Sequence, residues 1–157
     1  MKVLHTLTIK RGTIYIFLLI AVTILAIVAE SIYKITSQQI KREKEIELLF
    51  IGKQFRRGLK DYYEWNGLHQ YPSSLKDLVL DKRPLRPVSR WRKLYYDPFT
   101  KSRDWGEIRK NNRIIGIYSK SLQKPIKRYN FSDENSSFNS ASSYRDWEFT
   151  YIAAKNA

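Results

Sequence analysis

A chain of 157 residues with 29 Lys and Arg against 15 Asp and Glu carries a net charge of +14, and it contains no cysteine. That excludes disulfide bonds, Cys-ligated metal centres and Cys-His catalysis, so any folded part relies on packing alone. Setting aside a leader and an apolar run leaves about 120 residues, enough for one modest domain.

Residues 1–12 hold Lys2, Lys10 and Arg11 and no acid, which reads as a short basic leader and leaves +11 beyond Gly12. An apolar run, residues 14–29, follows. It gives about 24 Å of helix against a hydrocarbon core of about 30 Å. Thr13 on one side and Ser31, Ile32 and Tyr33 on the other extend it, with Lys34 snorkelling, so residues 13–33 are expected to cross a membrane once. Lys10 and Arg11 place the N-terminus in the cytoplasm and residues 34–157 on the far side. The rival reading is a secretory signal peptide cleaved after Ile27-Val28-Ala29. Against it, the run reaches the upper length of such regions and a helical pattern continues across the cut, so cleavage would sever a helix.

No Gly or Pro interrupts residues 13–51, so one helix is expected to continue to about Trp65, roughly 80 Å in all. Lys41, Arg42, Glu43, Lys44, Glu45 and Glu47 form a mixed-charge collar, expected to be solvated with weak ion pairs such as Lys41 with Glu45. Leu48, Ile51, Phe55, Leu59 and Tyr62 then fall on one helical face, the expected spine of a folded head. Gly52 and Gly58 would let a neighbouring element approach closely. Asn66-Gly67 is the expected helix end.

Ser74, with Asp77 three residues on, predicts a second, short helix. Pro84 and Pro87 mark an irregular basic connection through Arg83, Arg86, Arg90, Arg92 and Lys93. Strands are expected at 93–96, 105–109, 113–119 and 147–152, in antiparallel arrangement, with Asn111-Asn112 as a hairpin turn. Residues 132–143, rich in Ser and Asn, predict a flexible loop. The expected fold class is therefore α+β: a long N-terminal membrane-spanning helix packed on a small antiparallel sheet.

The residues carry no enzyme constellation. His5 falls in the leader and His69 in a turn, and neither G-x-S-x-G nor a phosphate-cradling Gly-rich loop is present. No catalytic residue, cofactor or metal is expected; Asp133, Glu134 and Asn135 offer oxygens but match no calcium-loop spacing. Trp91, Tyr95, Tyr96 and Trp105 interleave with basic residues, and Arg90, Arg92, Lys93 and Arg103 form a candidate anion-binding patch. A basic head whose aromatics are core is the favoured reading there. Protein or lipid partners weigh over nucleic acid.

In the order and spacing of its motifs the chain resembles the type IV pilin-like pseudopilins of bacterial type II secretion systems, in a divergent, major-pseudopilin-like branch. The resemblance covers most of the chain. It rests on the basic leader ending in Gly12, the apolar helix after it, and the stalk from Arg42 to Phe50. It continues through Tyr71-Pro72-Ser73-Ser74-Leu75-Lys76-Asp77-Leu78, Tyr96-Asp97-Pro98-Phe99-Thr100, Asp104-Trp105-Gly106, Gly116-Ile117-Tyr118-Ser119 and Tyr144-Arg145-Asp146-Trp147-Glu148-Phe149. The resemblance implies a prepilin peptidase cutting after Gly12, Thr13 as a first mature residue open to methylation, and a filament built through an assembly helix that includes Tyr15, Phe17, Leu18 and Leu19. It further implies other pilin or pseudopilin subunits and an inner-membrane assembly platform as partners, with the head in the periplasm. Two positions depart from the family pattern: Thr13 stands where Phe is usual, and Phe17 where a Glu pairs with a neighbour's N-terminus. A minor or tip subunit tolerates that change better than a shaft subunit. A minor pilin binding DNA or surfaces and an unrelated signal-anchored envelope protein are the alternatives.

Overall fold

A computed structural model describes residues 11–85 and 94–153. The first element is the helix α1, Arg11–Glu64, followed by a 3-10 turn at Trp65–Gly67. Gly67 adopts φ 68°, the left-handed conformation that lets the chain leave the helix. The chain divides into two compact units, Met1–Ile40 and Lys41–Ala157.

In the first unit, residues 12–40 are helical and exposed on every side. Apolar side chains run all round the helix and stand exposed, a pattern found in membrane spans. The helix is long and apolar enough to cross a membrane, compatible with a single-pass membrane protein. Two of its hydroxyls bond within the helix: Thr23 donates to the Ile20 carbonyl at 2.8 Å and Ser31 to that of Ile27 at 2.9 Å. Lys34 and Glu30 pair at 2.7 Å one turn apart.

The second unit is the α+β head. Leu48, Ile51, Phe55, Leu59 and Tyr62 are all buried, so the predicted spine is one wall of the core. Opposite it lies an antiparallel sheet of order β1 (Gly106–Lys110), β2 (Arg113–Tyr118) and β3 (Phe149–Thr150). Asn111 and Asn112 turn the first hairpin at φ 50° and 60°, the paired positive values a two-residue turn requires. A bulge between Ile108 and Arg109 shifts the register of β1 on β2. The short α2, Lys76–Val79, follows Ser74, and Asp77 Oδ2 accepts from the backbone N–H of both Ser73 and Ser74.

Three expectations need correction. Residues 94–96 form no strand, and the Tyr95 carbonyl accepts from the Trp105 indole N–H at 2.9 Å; Lys93 lies outside the described residues. The expected loop at 132–143 contains a 3-10 helix, Asp133–Ser140, whose Phe138 is buried and stacks on Trp147 at 5.3 Å and 4°. One aromatic ring among polar residues found a hydrophobic partner that composition alone did not reveal. The strand expected at 147–152 is only two residues long, although Trp147 and Phe149 are fully buried.

Gly52 shows why α1 and β3 can meet: a Cβ there would fall inside the Phe149 ring, which is itself fully buried. Gly52→Ala gains about 1 kcal/mol of helix propensity but forces an overpacked core that costs about 1–3 kcal/mol. The expected outcome is a net loss of stability, seen as a lower melting temperature of the detergent-solubilised chain; an unchanged or higher value would contradict the packing described.

Candidate functional site

The residues expected to act in assembly all lie in the first unit. Gly12 and Thr13 are in the opening turn of α1, and Tyr15, Phe17, Leu18 and Leu19 are exposed, Phe17 at 66%. They share one exposed, largely apolar stretch of helix surface.

The head is fastened to α1 by polar groups that the sequence reading placed in solvent. Glu45, expected in the solvated collar, is buried to 3% exposure. Its carboxylate accepts from the backbone N–H groups of Ile126 and Lys127 and from the Tyr144 hydroxyl at 2.7 Å. Lys41, its expected partner, lies over the Tyr144 ring at 5.7 Å instead. Burial, then the Glu45 hydrogen bond, raises the Tyr144 pKa well above the ordinary tyrosine value.

Arg56 is the second fastening. Its guanidinium donates to the carbonyls of Thr150 at 3.1 Å, Glu134 at 3.0 Å and Glu148 at 3.3 Å, and to Asn135 Oδ1 at 2.6 Å. Glu134 Oε2 lies 3.5 Å away. Burial lowers the Arg56 pKa, and the Glu134 charge partly offsets this. The oxygens of Glu134 and Asn135, considered above for a metal, thus face a guanidinium.

Two further carboxylates are fully enclosed. Asp97 takes the Ser119 hydroxyl at 2.6 Å and the Phe99 N–H at 2.8 Å, forming the turn at Asp97-Pro98-Phe99-Thr100. Asp81 takes Arg83 through Nε at 2.9 Å and Nη2 at 2.8 Å, and that guanidinium stacks on Tyr62 at 3.3 Å. One of these devices was open to sequence reading. The Ser-Ser-x-x-Asp pattern at 73–77 recurs at 142–146, where Asp146 Oδ2 accepts from the N–H groups of Ser142 and Ser143. Those bonds, led by the Ser142 hydroxyl, hold the Asp146 pKa below the usual carboxylate value.

The expected anion-binding patch is only partly visible. Arg90, Arg92 and Lys93 lie outside the described residues, as does Trp91, while Arg103 is exposed and sits over the Tyr96 ring at 4.4 Å. Trp105 is core, packed 5.3 Å from Phe55.

Other cations gather where spacing gave no signal. A cleft of about 310 Å³ at the C-terminal end of α1 is lined by Tyr63, His69, Tyr71, Lys110 and Arg113, with Ile152 on its rim. The Tyr63 ring lies 4.5 Å from Tyr71 and 5.3 Å from His69. A second cleft of about 470 Å³, also reaching Ile152, is lined by Lys53, Arg57 and Lys60 of α1. Among the described residues no group of three His, Cys, Asp or Glu side chains could hold a metal ion. Comparison with known proteins gives no matching family model, no matching curated protein and no matching solved structure.

Tyr151 donates to Glu64 Oε1 at 2.9 Å, and burial followed by that bond pushes its pKa up to about 12. An unfolded chain ionises its tyrosines near pH 10, so unfolding releases a proton between pH 10 and about 12 and stability falls across that window. Tyr151→Phe is expected to flatten the fall in denaturant midpoint from pH 10 to 12; an unchanged slope would remove Tyr151 as a contributor.

Proposed function

We propose that this chain is a membrane-anchored structural subunit of the pilin-like type, resembling the pseudopilins of type II secretion, which assembles through its N-terminal helix into a filament that supports protein export. The observation that supports this reading is the change of character along one helix. Residues 14–29 of α1 are apolar and exposed, and residues 48–62 bury one face in the head. The first segment is shaped for lipid and for neighbouring copies of itself. The second gives the head a rigid wall.

On this reading the basic leader stays in the cytoplasm, a membrane peptidase cuts between Gly12 and Thr13, and the head works in the periplasm at the inner membrane. Assembly is mechanical. Subunits leave the bilayer as apolar helices pack side by side, and no step breaks a bond in a substrate. Phe17 lacks the carboxylate that would meet a neighbour's N-terminus, and an unpaired buried ion is costly. A minor or tip position, with no subunit ahead of it, suits such a chain.

The intact mass of the protein extracted from membranes tests this directly: loss of residues 1–12 is the expected result. Loss of residues 1–29 would make it a secreted protein, and no loss a plain anchor. As a second check, Leu18→Cys introduces the sole thiol of a cysteine-free chain. Oxidation in membranes is expected to give dimers; a purely monomeric product would count against lateral packing of the helices.

A further inference from the structure

The two clefts that meet at Ile152 share one electrostatic sign. Lys53, Arg57, Lys60, Lys110 and Arg113 line them, are exposed, and among the described residues form no ion pair. Some basic residues elsewhere in the head are matched: Arg109 pairs with Glu107 and Lys120 with Asp104, both at 2.7 Å. The one carboxylate among the lining residues, Glu134, faces Arg56, and nearby Glu64 accepts from Tyr151. A cleft lined by more cations than carboxylates attracts an anion.

The arrangement also sets the kind of anion. Lys53, Arg57 and Lys60 succeed one another along one side of α1 at about 6 Å and about 4.5 Å of helix rise, a row suited to a linear polyanion. The row leads to Tyr63, Tyr71 and His69, whose rings cluster at the neighbouring cleft. Arg113 is held there by its bond to the Tyr71 carbonyl at 3.2 Å. Charged donors dominate this lining, five exposed cations against the single carboxylate of Glu134. That favours a ligand rich in acceptors, such as phosphates and base carbonyls, over a polysaccharide rich in hydroxyl donors.

We propose that the joined clefts bind single-stranded nucleic acid, with phosphates along Lys53, Arg57 and Lys60 and against Lys110 and Arg113, and a base stacked at Tyr63 and His69. Backbone neutralisation plus ring stacking is the general mode of sequence-tolerant strand binding. The site lies within the head and is independent of whether the chain assembles into filaments.

The test uses the full chain in phosphatidylcholine nanodiscs and a fluorescein-labelled oligothymidylate, read by anisotropy across a salt series. Five neutralised phosphates give a slope of about −3.5 in log K against log salt. Joint replacement of Lys53, Arg57 and Lys60 by Gln is expected to reduce that slope by about 2. Tyr63→Leu is expected to weaken binding about tenfold with the slope unchanged, a pattern that loss of charge does not produce. Lys110→Gln with Arg113→Gln, both at exposed positions, keeps the test decisive if Tyr63→Leu does not fold, and is expected to weaken binding and lower the slope. No anisotropy change at low salt would overturn the proposal. So would heparin competing equally at matched charge with Tyr63→Leu without effect, since the surface would then read charge alone.

Discussion

The head depends on one wall of side chains supplied by α1. Leu48, Ile51, Phe55, Leu59 and Tyr62 leave solvent completely or almost so, and among the described residues the three-stranded sheet, with a third strand of only two residues, has no other layer of comparable length to pack against. A sheet this small is marginal alone and gains its core by covering a helix. Three of the long-range fastenings described above return to the same helix: Phe149 closes over Gly52, Arg56 holds the carbonyls around β3, and Glu45 holds residues 126 and 127. The helix is therefore the foundation of the head.

Glu45 and Asp97 are carboxylates enclosed without a direct ion pair, an arrangement that is costly unless every lone pair is engaged. Here hydroxyls and backbone N–H groups supply the donors. Because such donors must be placed to within hydrogen-bond distance, these carboxylates fix the path of the loops that lack regular structure. Asp97 orders the turn before β1, and Glu45 orders the chain between β2 and the last 3-10 helices. Specific placement of irregular chain, more than net stability, is what these buried acids contribute.

The strong positive charge is not spread evenly in its consequences. Arg56 and Arg83 are consumed in the interior, where they satisfy carbonyls and a buried carboxylate. Arg109 and Lys120 are paired at the surface. Around Ile152, five further cations that form no ion pair among the described residues line concave surface beside aromatic rings, where their fields add.

The apolar run, the one-faced stripe, the Gly67 helix end and the Asn111-Asn112 hairpin were all legible from the residues, because each rests on local periodicity or on backbone conformations open to few side chains. Ser74 with Asp77 belongs to the same class, and the matching box at 142–146 could have been read the same way. Phe138 could not be placed, since nothing local says that a lone ring in a polar segment stacks on Trp147. Nor could Glu45 be taken out of its collar. Its partners stand 81 to 99 residues further along the chain, and only closure of the head brings them to its carboxylate. Short-range geometry thus determined which elements form and where they end. Burial of particular charges, and the gathering of cations from α1 and the hairpin around one exposed isoleucine, were decided by tertiary packing, because both require residues distant in sequence to share one dielectric environment.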